Sequence, residues 1–148
     1  MIYRASEHNF SINDFYKMCC DIPSVLILIK TEHNKKIGGY IPMKWELQNI
    51  NQNVSVADNS RKSFLFSLTN NDKVELTASD NAIHYSYNYG PCFGGKNTIC
   101  DLKIANNANI NNSYCKIGSN YTHPRYTGAQ SSKEFTGSAN NDFKIIEW

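Results

Sequence analysis

The hydrophobic residues of the chain fall into many short runs of strand length, separated by polar segments. Six runs predict strands, and they cover residues 24–30, 37–41, 64–69, 74–77, 100–104 and 143–148. Apolar residues are continuous from Val25 to Ile29, so we expect the first strand to be buried on both faces. In a seventh run, residues 83–89, Ile83 and three tyrosines alternate with polar residues, which is the period of a strand. We expect its tyrosines to face the core and His84 to face outward.

The polar segments between these runs predict turns and loops. Residues 31–36 and 70–72 would each turn the chain between two strands, because Asn side chains compete for backbone hydrogen bonds and favour turns. Residues 48–62, 106–113 and 118–132 predict longer irregular loops.

One helix is well marked, over residues 12–20. Ser11 can cap its first turn, and Asp14 stands three residues later, as in a capping box. Phe10 and Phe15 suit the hydrophobic staple around such a cap, and Pro23 ends the segment. Many short strands with one clear helix predict a mostly β, α+β domain built as a two-sheet antiparallel β-sandwich with a few short helices. The 148 residues suit a single domain.

Composition and charge exclude some classes of function. The net charge is +2 and the basic residues are scattered, so a nucleic-acid surface is not expected. No apolar run approaches the roughly 18–20 residues of a membrane span, and residues 1–10 lack the apolar core of a secretory signal. We therefore expect a cytoplasmic protein that does not insert into membranes.

The five cysteines predict free thiols rather than a disulfide framework. Their number is odd, no two are spaced as Cys-x-x-Cys, and the expected compartment is reducing. Cys19 and Cys20 end the predicted helix, where the dipole does not favour a thiolate. The histidines and cysteines have no zinc-ligand spacing, so neither a metal nor a cofactor is expected.

Residues 90–96 match the first part of a phosphate loop, G-x-x-x-x-G-K. Asn97 follows where Ser or Thr is needed, and the next segment predicts a strand rather than a helix. We therefore interpret Gly90, Gly94 and Gly95 as positions of turn geometry or close backbone approach. The pair Gly38-Gly39 inside a predicted strand has the same interpretation, a bulge or close packing, with a partner contact as the alternative.

Cys92 in this glycine-rich segment leaves an enzymatic alternative open. A cysteine nucleophile needs a base and an orienting group, which His84 and Asp101 could supply. A second alternative is a glycan- or ligand-binding sandwich that uses exposed Tyr and Asn side chains.

Several motifs in a fixed order resemble the TLDc domain of oxidation-resistance proteins. They are Ile2-Tyr3-Arg4-Ala5-Ser6, Phe10-Ser11, Phe15, Cys20-Asp21, Leu28-Ile29-Lys30-Thr31, Gly38-Gly39-Tyr40, Trp45, Phe64-Leu65-Phe66-Ser67-Leu68, Tyr89-Gly90-Pro91-Cys92-Phe93-Gly94-Gly95, Phe135-Thr136-Gly137-Ser138 and the segment from Phe143 to Glu147. Two features depart from the family pattern: Cys92 stands where Thr is common, and the segment after Asp21 is short. We expect residues 1–148 to form one TLDc-like domain without the helical segment that usually precedes the opening motif.

The resemblance implies a β-sandwich that binds other proteins and is not an enzyme. It implies protection against oxidative damage and binding to the peripheral sector of the vacuolar proton-pumping ATPase, which would hold the domain at vacuolar or endolysosomal membranes. It supplies no catalytic residues. The family-signature positions, structural or in contact with a partner, are Gly38, Gly39, Tyr40, Tyr89, Gly90, Pro91, Phe93, Gly94 and Gly95.

Overall fold

Strands account for most of the regular structure. The structure, a computed structural model, describes residues 1–95 and 99–148. In this part of the chain the helices are α1 (Ile12–Cys19), α2 (Leu47–Ile50) and α3 (Gly128–Thr136). The strands are β1 (Val25–Thr31), β2 (Lys36–Ile41), β3 (Ser55–Val56), β4 (Phe64–Ser67), β5 (Asp72–Leu76), β6 (Ile83–His84), β7 (Tyr89–Phe93), β8 (Leu102–Ala105), β9 (Ser113–Cys115), β10 (Tyr121–Thr122), β11 (Asp142–Phe143) and β12 (Ile145–Glu147).

The strands form two antiparallel sheets. The first sheet has the order β10-β5-β4-β2-β1-β12, and the second has the order β11-β9-β8-β7-β6-β3. Each sheet has six strands, and their apolar inner faces supply most of the buried core. The predicted two-sheet antiparallel sandwich with a few short helices is confirmed.

α1 lies where the pattern placed it and packs against the ends of the chain. The backbone N–H of Asp14 donates to Ser11 Oγ at 3.3 Å, so the predicted cap is formed. Phe15 is buried against Trp45 and Trp148, with ring centroids 6.0 and 5.1 Å away. The predicted closing strand 143–148 divides at Lys144, since β11 belongs to the second sheet and β12 to the first.

β1 alternates between the core and the solvent, so the prediction that it is buried on both faces is wrong. Ile27 and Ile29 face the core, whereas Leu26 and Leu28 are 61% and 52% exposed. A continuous apolar run does not reveal whether anything covers the second face of its sheet.

Residues 83–89 form a hairpin rather than one strand. β6 ends at His84, the chain turns through residues 85–88, and β7 returns antiparallel with Ile83 opposite Phe93. The orientation expected for His84 is wrong, because the side chain is buried, while Tyr87 faces solvent. The run lacks Gly or Pro at its turn, which is why its alternation predicted a single strand.

Two of the predicted long loops contain regular structure. Residues 48–62 include the end of α2 and β3, and residues 118–132 include β10 and the start of α3. α3 was missed because its polar, Ser-rich sequence has only a short apolar stripe. Its end was signalled, since Gly137 closes it in the left-handed conformation with φ of +86°.

Candidate interaction surface

The glycine pair of β2 lies at the centre of the first sheet, between β1 and β4. A Cβ on Gly39 would collide with the ring of Phe93 in the second sheet. A Cβ on Gly38 would collide with Phe66 on the opposite face of the first sheet. Both glycines are buried, so the structure gives them a packing role that larger residues could not fill. Tyr40, the third member of this signature, is half-buried on the outer side.

The second signature segment is mostly strand rather than turn. Residues 89–93 form β7, and only Gly94 and Gly95 have the left-handed backbone, with φ of +68° and +102°. Gly90 instead allows a close approach, since a Cβ there would lie 3.2 Å from Ile12 Cγ2. Lys96, the last residue of the phosphate-loop match, and Asn97, which follows it, lie outside the described residues.

Asp101 holds the glycine turn and a neighbouring loop together. Its buried carboxylate accepts hydrogen bonds from the backbone N–H groups of Gly118, Ser119 and Asn120 at 2.8, 2.9 and 2.8 Å. The side-chain oxygen of Asn120 in turn accepts from the N–H of Gly95 at 2.9 Å. Burial raises the pKa of Asp101, and the backbone donors oppose that shift. The carboxylate therefore holds the loop at residues 118–120 in place, and it does not orient His84.

A disulfide joins Cys92 to Cys100, so the expectation of free thiols is wrong for these two residues. Their Cα atoms are 6.3 Å apart, within the range that a disulfide spans. Cys92 lies on β7 and Cys100 just before β8, so the antiparallel pairing of these strands brings them together. The two cysteines are eight positions apart, which is not the Cys-x-x-Cys spacing, so the bond could not be predicted from the sequence.

The other three cysteines are free thiols, as expected. Burial raises the pKa of Cys19 and of Cys20 to about 11, and it also raises the pKa of the fully buried Cys115. A thiol with a raised pKa is a poor nucleophile at neutral pH because the thiolate is the reactive form. None of these three is therefore an activated thiol.

His84 fastens the edge strand β3 to the glycine turn. Its Nδ1 lies 2.8 Å from Ser55 Oγ, and its Nε2 lies 3.3 Å from Asn53 Oδ1. The Ser55 hydroxyl also donates to the carbonyl oxygen of Gly95 at 3.0 Å. Burial lowers the pKa of His84. In the enzymatic alternative this side chain would assist Cys92, but its ring is instead bonded to Ser55 and Asn53.

The side of the first sheet that faces away from the core carries a continuous apolar surface, which we call the outer face. Leu26 of β1, Tyr40 of β2 and Phe64 of β4 lie side by side across three strands. Leu28 and Phe66 lie in the next row, with Gly38 between them. The ring centroids of Tyr40 and Phe64 are 5.3 Å apart, so these two side chains contact each other. Both remain partly exposed to solvent.

A groove of about 690 Å³ is lined by residues 24–30, most of which belong to β1, and β12 pairs with β1 only at Lys30 and Thr31. Residues 1–4, Phe15 and Cys19 of α1, Glu147 and Trp148 also line it. Lys30 and Lys36, which are directly opposite each other on β1 and β2, are among its lining residues. The groove was not foreseen, because the sequence predicted that β1 was covered on both sides.

The model of the TLDc domain family matches residues 1–147, which is nearly the whole chain. The chain belongs to the TLDc family. A comparison of this TLDc domain with curated proteins gave no match.

The described part of this TLDc domain holds no group of three or more His, Cys, Asp or Glu side chains placed to bind a metal ion. Among residues 1–95 and 99–148, no helix combines the length and the apolar character needed to cross a bilayer. The signature glycines of the domain pack its two sheets and its hairpin, and the exposed Leu26 and Leu28 lie on the outer face.

Proposed function

We propose that this TLDc domain is a non-catalytic intracellular protein-interaction module that binds the peripheral sector of a vacuolar proton-pumping ATPase. The observation that carries the proposal is the family match over residues 1–147, together with the resemblance of its motifs to modules of this kind. Binding would hold the domain in the cytoplasm at the surface of vacuolar or endolysosomal membranes.

The chemistry of the polar side chains supports binding rather than catalysis. Cys92 is bonded to Cys100 and is not available as a nucleophile. Asp101 is bonded to three backbone donors, and His84 to Ser55 and Asn53. The three residues of the enzymatic alternative therefore serve separate structural bonds rather than one reaction centre.

Resistance to oxidative damage would follow from the partner and not from scavenging by the domain itself. A cysteine that reacts directly with an oxidant is consumed once per molecule, and fast reaction needs a thiolate. Burial raises the pKa values of Cys19 and Cys20 to about 11, so both are almost entirely protonated at neutral pH. Regulation of a proton pump has no such limit, because the domain is not consumed when it binds the pump.

The proposal is tested by mixing the folded domain with purified peripheral sector of the vacuolar ATPase. Co-sedimentation and ATP hydrolysis are measured on the same samples. Binding at micromolar concentration with a changed rate of ATP hydrolysis would support the proposal. A domain that is folded by circular dichroism but does not co-sediment would contradict it.

A further inference from the structure

We propose that the open edge of β1 at residues 25–29 binds an extended segment of a partner protein as an added β-strand, and that acidic residues flank the apolar part of this segment. The inference rests on the proposed interaction function and deepens it by naming the binding edge and the chemistry of the partner. The unpaired backbone of β1 and the charges that line the groove beside it carry the inference.

β1 is paired along its whole length on one side but along only a small part on the other. β2 pairs with it from Val25 to Lys30. On the opposite side, β12 pairs with it at Lys30 and Thr31 and at no residue from 25 to 29. We call residues 25–29 on this side the open edge.

The backbone groups of two leucines point out of the open edge. The N–H of Lys36 donates to Thr69 Oγ1 at 2.7 Å, and its carbonyl oxygen accepts from the N–H of Leu68 at 2.8 Å, so its backbone groups point away from β1. Lys30, which is opposite Lys36, therefore points away from β2, and so does every second residue before it, Leu28 and Leu26. Among residues 1–95 and 99–148, no strand pairs with the N–H and C=O groups of these two leucines on that side.

The open edge is longer than the end strands of either sheet. β10, β11 and β3 have two residues each, and β12 has three. The open edge spans residues 25–29, and it contains neither a charged residue nor a proline, which are the residues that usually prevent an edge from pairing. An apolar edge of this length is a template for another strand, which binds through main-chain hydrogen bonds.

The groove beside the open edge can hold the alternate side chains of such a strand. Its lining includes the apolar side chains of Phe15, Cys19 and Trp148. Ile27 faces the core, so neighbouring side chains of an added strand on that side would extend the apolar layer of the core. Side chains on the other side of the added strand would lie beside the two exposed leucines.

The charges that line the groove favour an acidic partner. Lys30 and Lys36 are cross-strand neighbours, and neither has a carboxylate within 4 Å in the described part of the chain. Glu147 also lines the groove, but it is bonded to Arg4 at 3.2 Å and to Ser6. A carboxylate of the partner near the two lysines would offset the repulsion between them.

The test uses a synthetic peptide of about nine residues, in which valine and threonine alternate between a glutamate at each end. A second peptide is identical except for a lysine at each end. Binding of the fluorescently labelled peptides to the folded domain is measured by anisotropy. We expect the glutamate-ended peptide to bind at micromolar concentration, and at least about tenfold more tightly than the lysine-ended one.

N-methylation of the peptide distinguishes an added strand from other modes of binding. With its valines toward the core, the peptide places its threonines opposite Leu26 and Leu28 and directs the threonine N–H groups toward β1. N-methylation of the threonines should therefore weaken binding at least about tenfold more than N-methylation of the valines, which is the matched control. Equal losses would show that the peptide does not pair with the open edge.

Hydrogen exchange reports on the open edge directly. In the free domain, the N–H groups of Leu26 and Leu28 should exchange at least about tenfold faster than those of Ile27 and Ile29, which point toward β2. The glutamate-ended peptide should slow exchange at the two leucines. If all four N–H groups were equally protected in the free domain, the edge would already be paired and the proposal would be wrong.

Variants of the domain locate the binding site. Leu28→Pro removes an N–H that points out of the sheet and leaves the bonds to β2, so it should weaken binding of the glutamate-ended peptide at least about tenfold. Leu28→Val keeps that N–H and is the matched control, with a change of less than about threefold. Circular dichroism establishes that both variants are folded.

The charge preference is tested independently of any proline. Lys30→Glu with Lys36→Glu should reverse the preference between the glutamate-ended and lysine-ended peptides. The matched control is Lys116→Glu with Lys133→Glu, because both lysines are exposed and neither lines the groove. An unchanged preference in the first double variant would contradict the acidic partner.

Other results would assign the edge differently. Full binding of the peptide by folded Leu28→Pro would show that the open edge is not the site. A dimer of the native domain that Leu28→Pro dissociates would assign the edge to a second copy of the chain.

The proposed function can fail separately from this edge. If folded Leu28→Pro still co-sediments with the peripheral sector of the vacuolar ATPase, the open edge is not the docking site and the function stands. If the glutamate-ended peptide binds as expected but the peripheral sector does not, the edge stands and the named partner is wrong.

Discussion

Gly39 of β2 lies directly against the ring of Phe93 of β7, so the two sheets meet closely at a position that has no side chain. β1 and β4 pair with β2 on either side of this contact, so the backbone of Gly39 cannot shift away from Phe93 without breaking strand pairing. The glycine of the family signature is thus explained by packing between sheets.

We expect Gly39→Ala to lower the free energy of unfolding by about 1–3 kcal/mol, because the added methyl group overpacks the space that Phe93 fills. Urea denaturation measures the change. The matched control is a double-mutant cycle with Phe93→Leu, in which the smaller leucine side chain should recover part of the loss. If the two changes in the free energy of unfolding simply add in the double variant, the contact between residue 39 and Phe93 is not the cause of the loss.

Asp101→Asn should cost about 2 kcal/mol, because hydrogen bonds to a charged acceptor are stronger than those to an amide oxygen, and the amide nitrogen would oppose one of the three donors. Hydrogen exchange at Gly118 and Ser119 should become faster in the same variant. Exposed Asp142→Asn is the control and should stay within about 0.5 kcal/mol. If hydrogen exchange at both N–H groups were unchanged, the claim that Asp101 holds this loop in place would be wrong.

Stability should decrease on acidification from about pH 7 to about pH 5. Burial lowers the pKa of His84, and it lowers that of His123 against the opposing charge of Asp72. The unfolded chain then binds protons, below about pH 6.5, that the folded chain excludes. The stabilisation is complete above that pH and is lost as the pH falls toward the folded-state values.

The slope of this decrease should be at most about 1.4 kcal/mol per pH unit for each histidine. His84→Gln should reduce the slope without removing it, since His123 remains. Denaturation at several pH values measures it, with the exposed His33→Gln as the control. A slope that is identical in His84→Gln and the native chain would show that His84 is not held neutral.

Alkylation at neutral pH should leave Cys92 and Cys100 unmodified in the folded, unreduced protein, because their sulfurs are bonded and buried. Half-buried Cys20 should react first among the free thiols, and slowly, because burial raises its pKa to about 11. Cys115 should react only on unfolding. Mass spectrometry after labelling gives the order, and early labelling of Cys92 would contradict the disulfide.

The fold could be predicted from the sequence to the extent that local pattern determines it. The cap of α1 at Ser11 depends on neighbouring residues, as does the hairpin at Asn71, whose φ is 55°, and both were found. α3 was missed because Gly128 to Thr136 is held mainly by tertiary contacts, and its one local signal is the left-handed Gly137.

The site depends on contacts between distant segments, which a single sequence does not reveal. The bond between Cys92 and Cys100 exists because β7 and β8 pair, and the burial of His84 follows from a turn at residues 85–88. The exposure of Leu28 depends on nothing being packed over β1. Apolar residues mark surfaces that need covering, whether by the chain itself or by a partner.

The most direct measurement of the central claim is quantitative co-sedimentation of the native domain with the peripheral sector of the vacuolar ATPase, with ATP hydrolysis measured on the same samples. We predict that the native domain binds at micromolar concentration or below and alters the rate of ATP hydrolysis. No binding by the folded native domain would contradict the claim that this TLDc domain is an interaction module for the pump.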